Sequence, residues 1–108
     1  MKNQFILIQT TYQSLETAKN LARILLTEKL AACVEFSEIE SNYIWQGEIK
    51  NEREILVTIK SKAELYQKIE KTIVENHDYE IPQVIAININ QGFKPYMEWL
   101  STNCVWRG

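Results

Sequence analysis

Two β-forming runs meet at a single tight turn, and together they are too long for the rest of the chain. Residues 31–45 run through Val34 and Phe36 to Tyr43, Ile44 and Trp45, and residues 48–60 return through Ile49, Ile55, Val57 and Ile59. Gln46-Gly47 lies between them, and Gly47 is free to take positive φ. Residues 31–60 therefore read as one hairpin. Each arm has about thirteen residues and rises roughly 43 Å.

The flanking elements are shorter. Residues 5–10 form a strand, and this first strand and the last one have about seven residues each, rising roughly 23 Å. Ser14 reads as a helix N-cap ahead of Leu15, Ala18, Ala22, Leu25, Leu26 and Lys29, whose spacing predicts a helix over 15–28. Ser61 stands three residues before Glu64, a capping-box pattern for a second helix ending near Asn76, with Leu65, Ile69 and Ile73 on one face. Residues 77–82 are a loop, since Pro82 pushes Ile81 out of helical geometry. Residues 84–90 read as the last long strand, 95–100 as a short helix, and 105–108 as an extra strand.

Strand, helix, strand, strand, helix, strand is the ferredoxin-like β-α-β-β-α-β order, an α+β sandwich with both helices on one face of the sheet. The chain of 108 residues reads as a single domain, 1–108, with a long central hairpin and a short C-terminal helix and strand. The arms outrun the outer strands by about six residues each. Tyr43, Ile44 and Trp45 at the tip are poor residues to leave on a naked edge. Either the arm bends back at a bulge near 37–42, or a second subunit covers it. A closed homo-oligomer removes edges and apolar surface together, which favours the second.

Several function classes are disfavoured. A net charge of −2 gives no basic face for nucleic acid and no polybasic patch for a membrane surface. No apolar run approaches the ~20 residues of a membrane span. Residues 1–4 lead straight into Phe5-Ile6-Leu7-Ile8, too short a run for a signal peptide. A cytoplasmic protein with Cys33 and Cys104 reduced is expected, Cys33 serving as a small buried hydrophobe. An acylphosphatase needs a basic phosphate-binding loop after the first strand, and Gln9-Thr10-Thr11-Tyr12-Gln13 has no basic residue. An RNA-recognition domain stacks bases on aromatics of its central strands, and residues 55–59 offer none.

Two groups of side chains carry chemistry. His77 is the only histidine, and neutral imidazole suits Cu(II) or Zn(II) while thiolate suits Cu(I) or Zn(II). His77 with Glu80 and Cys33 is the candidate metal set, with Glu75 and Asp78 nearby in sequence. Three or four ligands must converge for such a site to work. The alternative is a loop histidine that caps the second helix or bonds the backbone. Lys60, Trp45, Tyr79 and Glu80 are candidate cleft residues, with Tyr43 and Trp99 as further aromatics. Lys60 ends a strand in apolar surroundings, where it holds an anion or pairs with Glu80.

Five segments in register resemble the CutA family: residues 25–34 with Ala31-Ala32-Cys33, residues 43–49 with Tyr43, Trp45 and Gly47, Lys60, residues 76–82, and residues 96–100. The resemblance implies a ferredoxin-like fold assembled as a homotrimer similar to the PII signalling proteins, with Tyr43, Trp45, Trp99 and Trp106 between subunits. It implies a link to divalent-cation tolerance, copper (Cu2+) binding in some members, and no established enzymatic reaction. Its PII-like architecture also leaves room for a small-molecule or protein partner. Some members carry a cysteine at the end of the first strand and a His-His pair after the second helix. This chain has Gln9 and Asn76-His77 there, and Asp78 in place of the usual proline. Only His77 of that copper set remains, so weak cation binding is the expectation.

Overall fold

The fold comes from a computed structural model, which describes residues 4–105. Alternation in the first strand, β1 (Phe5–Tyr12), sets the two-layer architecture. Ile6, Ile8, Thr10 and Tyr12 are buried on one face, where they pair with Ser61, Ile59, Val57 and Ile55 of the long strand β3 (Glu48–Lys62). Above that face lie α1 (Leu15–Thr27) and α2 (Tyr66–Glu75), which contribute Ala18, Leu21, Leu25, Ile69 and Ile73 to the core. Burying each larger aliphatic side chain there contributes roughly 1.5–3 kcal/mol.

Strand β2 (Cys33–Trp45) pairs with β3, and β4 (Ile85–Asn88) closes the other side of β1. The sheet order is β2-β3-β1-β4, with every neighbouring pair antiparallel. A last helix, α3 (Lys94–Thr102), starts with a proline in its first turn and buries Leu100. This is the ferredoxin-like order that the sequence predicts. No helix among the described residues is long and apolar enough to cross a membrane.

The hairpin is continuous. Its rungs run without a slip from Cys33↔Lys60 to Trp45↔Glu48, so the alternative of a bulge near 37–42 is excluded. Gln46 (φ 53°) and Gly47 (φ 80°) both take left-handed conformations, the mirror-image turn whose twist matches a two-residue hairpin. The ladder to β1 stops at Tyr12↔Ile55. Beyond it, residues 39–45 and 48–54 form a two-stranded ribbon with no third strand beside them among the described residues. The longest dimension of the chain is 44 Å, as a straight ribbon requires.

Three local expectations are corrected. Ser61 does not cap a helix: its rung with Ile6 holds it extended, and its hydroxyl donates to the Leu30 carbonyl at 2.6 Å. β3 therefore runs to Lys62, a 3-10 turn (Ala63–Leu65) follows, and α2 begins only at Tyr66 with no side-chain cap. The last strand has four residues, all exposed, because β1 offers it rungs only from Ile6 to Gln9. In α1, Leu21 is the buried residue, while Leu15 and Leu26 lie partly in solvent. The Ser14 cap is as expected, its hydroxyl accepting from the Thr17 N–H at 3.2 Å. Val105 is exposed and outside any strand; Trp106 and the rest of the expected C-terminal strand lie outside the described residues.

Candidate functional site

The end of α2 is the best-built polar site on the molecule. The Asn76 side chain donates to the Thr72 carbonyl at 2.9 Å, and its backbone leaves helical geometry at φ −122°. The Asn76 carbonyl then accepts from the Tyr12 hydroxyl at 2.8 Å. The next residue, His77, lies flat on Tyr12, with ring centroids 4.1 Å apart and planes 21° from parallel. Its Nδ1 accepts from the Tyr79 N–H at 3.1 Å. That assigns the proton to Nε2, which donates to the Thr11 carbonyl at 2.7 Å. Burial lowers the His77 pKa, outweighing the Thr11 bond and the Asp78 and Glu54 charges. The ring is therefore neutral at pH 7.

Tyr79 carries the network onward. Its ring lies 4.8 Å from His77, and its hydroxyl donates to Glu54 Oε2 at 2.7 Å. Glu54 is buried, 7% exposed, at the first rung of the ribbon. Burial, then the Glu54 bond, raises the Tyr79 phenol far above its usual range. Burial and the Asp78 charge push Tyr12 up to about 12. The loop after α2 is thus tied to the end of β1 and to the base of the ribbon. Beside Glu54 an open groove of about 400 Å³ is lined by Gln13, Glu38, Glu40 and Arg53 among others.

A second cluster surrounds Lys60, at the far end of β1. Its ammonium donates to the Tyr96 hydroxyl at 3.2 Å, lies 3.4 Å from Glu35 Oε1, and sits 5.4 Å from the Tyr96 ring centroid. The Tyr96 bond is the main cause raising its pKa. Lys60 pairs with Glu35, not with Glu80, which is exposed in the loop after α2.

The expected metal set does not converge within one chain. Cys33 stands opposite Lys60, which stands opposite Leu7, whereas His77 binds the carbonyl of Thr11. Four strand residues, about 13 Å, separate those two levels of β1. Both His77 nitrogens already have partners. Among the described residues no group of three or more His, Cys, Asp or Glu is arranged to hold a metal ion. The residues present therefore do not fit a preformed cation site in the protomer. Cys33 is half-buried, and Cys104 is the fully buried thiol; both are free.

The expected cleft residues are also dispersed. Trp45 lies twelve residues along β2 from the rung at Lys60, about 40 Å away. Tyr43 donates to Glu52 at 2.7 Å on the ribbon, and the Trp99 ring lies tilted against Tyr96 with centroids 5.5 Å apart. Of the four cleft candidates, Tyr79 and Glu80 share the loop after α2; Tyr79 enters the His77 network and Lys60 the separate Tyr96–Glu35 cluster. Tyr12, Glu54 and Tyr96 are the partners that sequence reasoning missed. Glu54 ends a mixed-charge run with Lys50, Glu52 and Arg53 that reads as a solvated face, so no signal marked it for burial, and Tyr12 sat at the end of a strand predicted too short.

Comparisons with known proteins agree over most of the chain. The family model of the CutA1 divalent ion tolerance protein matches residues 6–103. The divalent-cation tolerance protein CutA of Thermus thermophilus is 34% identical, over 86% of this chain and 91% of its own. The chloroplastic CutA protein of Arabidopsis thaliana is 37% identical over 91% of this chain, which spans only about half, 54%, of that relative. The Archaeoglobus fulgidus structure, described as a periplasmic divalent cation tolerance protein CutA, superposes with a TM-score of 0.91 at 32% identity, covering 94% of this chain and 99% of its own. The Oryza sativa CutA1 structure gives a TM-score of 0.91 at 36% identity, covering 95% of each chain. The chain belongs to the CutA1 divalent ion tolerance family.

Proposed function

We propose that this chain serves divalent-cation tolerance as a non-enzymatic homotrimer, with the ribbon of one protomer lying over the uncovered sheet face of the next. The observation that carries the reading is a pair of incomplete surfaces. The ribbon projects beyond the third strand with Tyr43, Ile44 and Trp45 at its tip. Around β4 and α3, Ile85, Ile87, Phe93 and Trp99 are each 45% exposed or more. Monomeric proteins rarely leave so many large apolar groups together in water. A closed three-fold arrangement would bring the two surfaces together and take their apolar area out of water. Two free thiols, Cys33 and Cys104, suit a reducing cytoplasmic setting.

In this reading any copper or other divalent cation is held weakly, by groups brought together between protomers. Light scattering at dilute concentration is expected to give three times the chain mass; a stable monomer would overturn the assembly. Trp45→Ala is expected to weaken the trimer, and a variant as trimeric and heat-resistant as the parent would remove Trp45 from the interface.

The Lys60 cluster supports a second reading, a PII-like trimer that takes a small anionic ligand without direct metal function. Its ammonium is partly accessible and has one carboxylate partner among the described residues. Native mass spectrometry with Cu2+ and with small phosphate-bearing anions separates the two. Cu2+ retention supports the first, and an anion adduct lost in Lys60→Met supports the second.

A further inference from the structure

The residue that most resembles a copper ligand is committed to another task. We infer that His77 in this chain is a clasp residue, not a metal ligand: its imidazole joins the loop after α2 to β1 and, through Tyr79, to Glu54 at the base of the ribbon. This goes beyond the cation-tolerance reading and does not depend on assembly.

The inference rests on what a metal would have to displace. A cation needs an imidazole lone pair, and the only one, on Nδ1, is held by the Tyr79 N–H. Binding at Nε2 instead requires that nitrogen to give up its proton and the Thr11 carbonyl to lose its donor. Thr11 is buried, 5% exposed, and a buried carbonyl left unpaired is unfavourable. The ring also contacts Tyr12 and Tyr79, so swinging it outward breaks two aromatic contacts as well. The same movement shifts the backbone that aims Tyr79 at Glu54. The exposed carboxylates of Asp78 and Glu80 are the only near ones in the loop, and with His77 they form no convergent group.

The test uses the full chain. Long-range proton–nitrogen NMR of the His77 ring at pH 7 is expected to show one Nε2–H tautomer, unchanged by an equivalent of Zn2+. Glutamine carries both an amide N–H and a carbonyl, so it can replace both ring contacts. His77→Gln is therefore expected to keep most of the parent's melting temperature. His77→Ala is expected to lose about 5 °C or more. Zn2+ and Cu2+ isotherms should be the same for all three proteins. Ring nitrogens that move with Zn2+ would overturn the inference, as would a cation site lost in both variants. Equal melting temperatures for parent and alanine variant would overturn the clasp. If His77→Ala does not fold, the ring spectrum of the parent and the glutamine variant still decide.

Discussion

The two ends of the β2–β3 hairpin share one ladder and have opposite fates. Near the body, Val57 and Ile59 are fully buried beneath the helices. Near the tip, the residues of the rung Ile44↔Ile49 are 76% and 82% exposed. The residue types are alike and the strand pairing is uninterrupted, so neither β-propensity nor hydrogen bonding makes the difference. A second layer makes it: α1 and α2 reach the body and stop short of the ribbon. Strand formation and core formation are thus separate events in this chain, and only the first extends to the tip.

Substitutions can break that contrast. Ile59→Ala opens a cavity in the body and should cost about 2–5 kcal/mol in denaturant unfolding. A cost below ~1 kcal/mol would mean the core at β3 is loosely packed. Tyr79→Phe removes the hydroxyl that satisfies Glu54, where body and ribbon join. It should cost about 1–3 kcal/mol, the penalty of leaving a buried carboxylate without its donor.

A pH series gives a smaller effect. The His77 pKa lies below its ordinary 6.5 in the folded chain. The unfolded chain therefore binds its proton first as pH falls, and stability declines below about pH 6.5 until the folded ring also titrates. The melting temperature of the parent should fall between pH 7 and pH 5 by more than that of His77→Gln; parallel curves would show that His77 contributes nothing to the slope. Smallest of all, Ile49→Ala should change protomer unfolding by less than about 0.5 kcal/mol, since it vacates no core. A larger loss measured at dilute concentration would show that the ribbon tip packs within its own chain.

The contrast also marks what the sequence could tell. The hairpin, its excess length and its turn were legible because each depends on neighbouring residues. The Ser14 cap was legible for the same reason. Ser61 misled because a capping-box pattern is local, while the rung with Ile6 that overrides it comes from the first strand, far away in sequence. The last strand was overestimated because its β-forming run outlasts the partner available on β1. At the site, His77 stood out by composition, but its role depends on Thr11, Tyr12 and Glu54, none of them near it in sequence. Spacing rules cannot see such partners: a loop histidine bonding the backbone was one of the two readings open to the sequence, but which backbone groups it would bond was not legible. The excess length that leaves Tyr43 and Ile44 exposed in the protomer was visible from the arm lengths alone.

The turn at Gln46-Gly47 also bears on the order in which the chain acquires its shape. Rungs next to the turn close very short loops, and each further rung extends a ladder already begun. β4, by contrast, must find β1 from the opposite end of the chain. The ribbon can therefore zip early, while the outer flank of β1 stays open until the last strand arrives. In that interval the chain presents open edges on both sides of the sheet. The length of that interval, more than the stability of the finished fold, would govern how readily a concentrated preparation mispairs during refolding.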